Sequence, residues 1–69
     1  MIGLRVNGKP VQLPAPTPLL DYVEQLGVDP RGIAVEVNGQ ILEREAYAEC
    51  TLDEGDVVEI VRMVGGGAG

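Results

Sequence analysis

The chain contains no histidine, no tryptophan and no phenylalanine; it has one cysteine, Cys50, and its only aromatic residues are Tyr22 and Tyr47. Each gap removes a class of function. Without histidine there is no Cys/His metal set and no imidazole to activate Cys50 as a nucleophile. One cysteine cannot close an internal disulfide. Cys50 is therefore read as a small packed or half-exposed apolar side chain, and no metal is expected. At 3% aromatic residues there is no platform for stacking single-stranded nucleic acid. Basic residues are also few: five Lys and Arg stand against eleven Asp and Glu, a formal net charge of −6. That balance repels phosphate backbones, so nucleic acid is not an expected partner; a basic-surfaced protein or simple solubility fits equally well. Long apolar runs are missing too. MIGLRVNGK has no basic segment leading into an apolar one, and nothing approaches membrane-spanning length. The expected location is the cytoplasm, with no membrane partner.

What is present is an aliphatic core in 69 residues, of which 45% are hydrophobic. A chain of this length forms one domain and buries only about 60% of its unfolded surface. Residues Ile2 to Asn7 place Leu4 and Val6 on one face and Arg5 on the other, the alternation of a half-buried strand. Asn7-Gly8 predicts a tight hairpin, with Val11 to Leu13 as the returning strand. After Pro14, Pro16 and Pro18, Thr17 reads as the N-cap of a helix from Pro18 to Leu26. Leu19, Leu20, Val23 and Leu26 would face the core, and Gly27 would stop the helix. Residues 33–37 (Ile-Ala-Val-Glu-Val) predict another strand, turned by Asn38-Gly39 into a short return through Ile41-Leu42. Residues 43–50 should form a loop or a single turn. The acidic turn Asp53-Glu54-Gly55-Asp56 lacks the ligands for calcium and leads into the apolar run 57–64, expected as a buried strand inside the sheet. Leu4, Val58 and Ile60 are expected in the core; on an outer face they would instead form a docking patch.

The order strand, strand, helix, strand, short strand, strand implies an α+β fold. One helix packs on one face of a mixed sheet of four to five strands, with the first and last strands as parallel neighbours. The domain is expected to span residues 1–64, followed by a flexible glycine-rich tail, residues 65–69. Gly65-Gly66-Gly67-Ala68-Gly69 has no side chain beyond a methyl, so it reads as a thread able to enter a narrow channel. Its chemistry resides in the terminal carboxylate. Attack on the α-phosphate of ATP would give an acyl adenylate, and a sulfur nucleophile on a partner would convert that into a thiocarboxylate. The glycines are no phosphate loop, since no GK[ST] follows. An inert chain end is the competing reading.

With these pieces in this order, the chain resembles the ThiS-type sulfur carriers of thiamine biosynthesis across its length up to Gly67. These are ubiquitin-like β-grasp proteins related to the molybdopterin-synthase small subunits. The resemblance rests on the strand into Asn7-Gly8, the Leu19-Leu20 to Leu26-Gly27 helix and the 33–38 strand. It rests further on Ile41-Leu42 with Arg44 and Tyr47, the Gly55-Asp56 turn, and the last strand running into a diglycine. It implies a protein substrate rather than an enzyme, with no catalytic residues and no bound cofactor; ATP is consumed by an E1-like (ThiF-type) adenylating enzyme. It also implies a cysteine-desulfurase-type sulfur donor and a ThiG-type thiazole synthase as acceptor. Carriers for molybdopterin, cysteine or tRNA thiolation, ubiquitin-like modifiers, and regulatory domains of the same fold remain alternatives. Family members stop at the diglycine, whereas Ala68-Gly69 follows Gly66-Gly67 here. Gly67 is the expected thiocarboxylate residue, with Gly69 the alternative if the tail is not trimmed or the last two residues are native. By their position just before the tail, Arg62, Met63 and Val64 are candidate docking residues, with a solvated strand residue the competing reading of Arg62.

Overall fold

The computed structural model describes residues 1–63; Val64 to Gly69 lie outside the described residues, and with them the expected boundary between domain and tail. The chain opens with β1 (Ile2–Val6), whose Ile2, Leu4 and Val6 are buried while Arg5 is exposed. Asn7 and Gly8 take φ of 53° and 80°, the left-handed pair whose twist suits a two-residue hairpin. The return strand β2 (Lys9–Leu13) begins two residues earlier than expected and pairs antiparallel, Ile2 opposite Leu13 and Val6 opposite Lys9. A second Asn-Gly turn, with φ of 53° at Asn38 and 84° at Gly39, joins β4 (Ile33–Val37) to β5 (Gln40–Ile41). The last strand, β7 (Val57–Arg62), runs up the middle of a five-stranded sheet in the order β2-β1-β7-β4-β5. It is parallel to β1, Val6 opposite Val58, and antiparallel to β4, Ile33 opposite Arg62.

The α1 helix (Leu19–Leu26) covers one face of this sheet. Gly27, at φ 76°, ends it in a Schellman arrangement: its N–H donates to the Glu24 carbonyl, and the Val28 N–H reaches back to Val23. Leu19, Val23, Ile33, Val35, Leu52 and Val58 are fully buried between helix and sheet. Each such side chain contributes about 1.5–3 kcal/mol by leaving water. Leu4 and Val58 thus lie in the core as expected, with Ile60 packed against it.

Four sequence expectations need correction. Thr17 does not cap the helix; its hydroxyl donates to the Ala15 carbonyl, and Pro18 occupies the cap position. Thr17 and Pro18 instead form β3 (Thr17–Pro18), paired with β6 (Thr51–Leu52) in a second, two-stranded sheet that the sequence did not suggest. The first helical N–H, that of Leu19, then finds the Cys50 carbonyl at 2.8 Å, so a distant backbone group does what a side-chain cap would do. On the helix, Leu26, expected to face the core, is 46% exposed at the last helical residue, and Tyr22 is buried with Leu19 and Val23. Residues Arg44–Glu49 wind into a 3-10 helix longer than a single turn, held by buried Tyr47. Finally, β7 is central but not buried on both sides. Val58 is buried and Ile60 half-buried, whereas Val57 and Val61 are exposed, since the single helix covers one face only.

Two asparagines clip β7 from either side. The Asn7 carboxamide accepts from the Ile60 N–H at 2.8 Å and donates to the Ile60 carbonyl at 3.1 Å, continuing the parallel ladder past the end of β1. Across the sheet, the Asn38 Oδ1 accepts from the Val57 N–H at 2.9 Å and its Nδ2 donates to Asp56 at 3.1 Å. Substituting Asn7→Gly keeps the left-handed turn but removes the clip, and should lower unfolding free energy by about 1–2 kcal/mol in urea titrations. Asn7→Ala should be worse by about 1 kcal/mol, having lost a residue that tolerates positive φ. A wild-type midpoint for Asn7→Gly would show that the clip is idle. Leu52→Ala, which opens a cavity beneath the small second sheet, should lose about 2–5 kcal/mol in the same assay.

Candidate functional site

The candidate site is the end of β7, where Arg62 and Met63 lead toward the tail. Arg62 pairs with Ile33 at the last rung against β4, and the Met63 N–H donates to the Gly32 carbonyl at 2.9 Å. Both side chains are exposed, Met63 at 55%, and they line an open recess of about 320 Å³ with Gly27, Val28, Asp29 and Gly32. The structure thus brings Arg62 and Met63 together at the surface. Val64 and the tail residues Gly65, Gly66, Gly67 and Gly69 lie outside the described residues.

The floor of this recess is built by local chemistry. Asp29 caps the Pro30–Gly32 turn by accepting from the Arg31 N–H at 2.9 Å, and it takes the Arg31 guanidinium at 3.1 Å and 3.2 Å. Those hydrogen bonds hold the Asp29 carboxyl below its ordinary range. Both side chains are well exposed, so the pair orients the turn more than it stabilises the fold. Beneath it, the Arg44 guanidinium donates to the Arg31 carbonyl at 2.9 Å, and the buried Tyr47 hydroxyl donates to the Ile33 carbonyl at 3.2 Å. Arg44 and Tyr47 therefore brace the segment on which Met63 rests.

No catalytic constellation appears among the described residues. A larger recess, about 470 Å³, lies at the opposite end of β7 beside the acidic turn. There the carboxylates already serve the backbone: Asp56 accepts from the Asp53 N–H at 2.8 Å, Asp53 from the Glu54 N–H at 2.7 Å and Glu54 from the Gly3 N–H at 2.9 Å. Turn chemistry explains them. No group of Cys, Asp or Glu converges as metal ligands among the described residues, and none of their helices is long and apolar enough to cross a membrane. Cys50 is half-buried, and its thiol is pushed up by burial and, secondarily, by the Asp56 carboxylate. A raised pKa suppresses the reactive thiolate. Sequence reasoning missed the bracing by Asn7 and Asn38, and it missed the outer face of β7. The alternation Val57, Glu59, Val61 against Val58, Ile60 was the signal for the latter.

The ThiS family model matches residues 4–67. The sulfur carrier protein ThiS of Bacillus subtilis (strain 168) is 37% identical over 65 residues, covering 93% of this chain and 98% of that protein. A thiazole synthase of Paramagnetospirillum magneticum is 37% identical over 65 residues; these are 94% of this chain but only 20% of that protein, so the chain spans about a fifth of it. Among solved structures, the crystal structure of a thiamine biosynthesis protein (ThiS) from Geobacter metallireducens superposes with a TM-score of 0.82 at 35% identity, covering 94% of this chain and 99% of that chain. Iodoacetamide at mildly alkaline pH should alkylate Cys50 several-fold more slowly in the folded protein than in urea. Equal rates would show a thiol with no protection from the fold.

Proposed function

The chain belongs to the ThiS family, and on that premise we propose that it is a sulfur carrier for thiamine biosynthesis, a protein substrate whose working group is its C-terminal carboxylate. The observation that carries this reading is the family match, which extends to Gly67. That end point supports Gly67, preceded by Gly65 and Gly66, as the residue activated, with Gly69 the alternative where Ala68-Gly69 is retained.

An adenylating enzyme of ThiF type supplies the active site in the cytoplasm, and the carrier supplies the acyl group. A carboxylate oxygen attacks the α-phosphorus of ATP; a phosphorus–oxygen bond forms and pyrophosphate leaves. The terminal sulfur of a persulfide, charged by a cysteine-desulfurase-type donor, then attacks the carbonyl carbon of this mixed anhydride and AMP leaves. A second thiol cleaves the resulting acyl disulfide, forming a disulfide with the donor and releasing the thiocarboxylate. Splitting one difficult substitution into these steps lowers each barrier. By composition the tail has no side chain beyond a methyl; fully extended, it would span about 11 Å if it ends at Gly67 and about 18 Å if it ends at Gly69. The likeness to thiazole synthases supports a ThiG-type synthase as the sulfur acceptor.

Incubation with ATP and the adenylating enzyme of the same genome should add one AMP to the chain by intact-protein mass spectrometry, mapped to Gly67 or Gly69. With a persulfide donor and a thiol present, the product should weigh about 16 Da more than the starting chain, one sulfur replacing one oxygen. Removal of residues 66–69 should abolish both adducts and complementation of a thiamine auxotroph. Undiminished complementation by the truncated chain, or isopeptide adducts on lysine in place of the thiocarboxylate, would overturn the reading.

A further inference from the structure

The strand that feeds the tail carries a feature the fold does not need. On the uncovered face of the sheet, Glu36 of β4 and Glu59 of β7 stand directly opposite one another. Like charges in that position repel across about 4.5–5.5 Å between Cβ atoms. Nothing answers them: the one ion pair among the described residues joins Arg31 and Asp29. Around the two carboxylates the surface is aliphatic. Val61 lies opposite Ala34 and is 56% exposed, while Ile41 lies opposite Glu36 and is 78% exposed. Together these side chains line a shallow recess of about 170 Å³.

We propose that this recess receives an arginine of the enzyme that activates the C-terminus, its stem lying on Val61 and Ile41 and its guanidinium bridging Glu36 and Glu59. Arginine satisfies both halves of the surface at once. Its methylene stem covers aliphatic area while its planar fork donates to two carboxylates, and it is weakly hydrated compared with lysine. The occupant is tied to the activating enzyme by continuity, because Val61 stands two residues before Met63 on the strand that delivers the tail. An enzyme drawing in the tail lies beside this face. A second copy of the chain fits poorly, since two-fold pairing would bring four carboxylates together. The inference rests on the carrier reading above and names what recognises the carrier before its end reacts.

The test is the double variant Glu36→Gln with Glu59→Gln, titrated calorimetrically against the adenylating enzyme at low and high salt. Removing the repulsion should raise Tm by about 2–4 °C. Binding should nevertheless weaken about tenfold, and its salt dependence should flatten. A variant that is more stable yet binds worse separates recognition from folding. Val61→Ser should also weaken binding, with its salt dependence unchanged. Wild-type affinity and salt slope for the double variant would overturn the docking proposal while wild-type adenylation still stands. Absence of any AMP adduct on the wild-type chain would instead overturn the carrier reading beneath it. A lowered Tm for the double variant, or a wild-type dimer in sedimentation that the variant abolishes, would also overturn the proposal.

Discussion

The fold depends on holding β7 in the middle of the sheet. Its parallel register with β1 is short, Arg5 against Val57 and Val6 against Val58, and parallel pairing is the weaker kind per residue. Two backbone bonds, from Arg5 to Asp56 and from Asn7 to Val58, are extended by the Asn7 carboxamide, which stands in for the next strand residue. On the other side, Asn38 ties the start of β7 to the turn after β4. Each Asn-Gly pair therefore makes a hairpin and also anchors the strand that leads to the C-terminus.

Having one helix creates the second condition for function. A helix over one face buries Leu4, Val35 and Val58 and leaves Val57, Glu59 and Val61 on the other face without a layer. A chain of 69 residues lacks the material to cover both. The uncovered face is then available for the docking we propose, while the proposed chemistry belongs to the C-terminal carboxylate. On the proposed reading, recognition falls on β7 and reaction on the chain end that follows it in sequence. On that reading, an activating enzyme identifies the carrier by this surface and takes the chain end into a narrower site.

Much of this was legible from neighbouring residues. Both Asn-Gly turns, the Gly27 stop and the alternation in β1 and β4 follow from φ preferences and a period of two, which a few adjacent residues settle. The parallel pairing of first and last strands followed from the order of elements. Other features were hidden because their causes are distant. Thr17-Pro18 has the composition of a helix start, and it becomes a strand because Thr51-Leu52 lies alongside. Asn7 reaches a residue 53 positions away, and no local pattern announces that bond. Leu26, expected to face the core, is exposed, while Tyr22, for which the helix period made no assignment, is buried.

Composition and order by themselves pointed to an aliphatic β-grasp fold, ruled out histidine-based chemistry in this sequence, and led to the expectation that its chemistry resides in a terminal glycine. Those conclusions need only residue chemistry, backbone preference and chain length. Tertiary structure alone decided which face of β7 is covered, that the two asparagine side chains clamp it, and that Glu36 meets Glu59 beside Val61. The physical reason is that each is a relation between residues brought together across the sheet, and sheet register is set by the packing of the whole core.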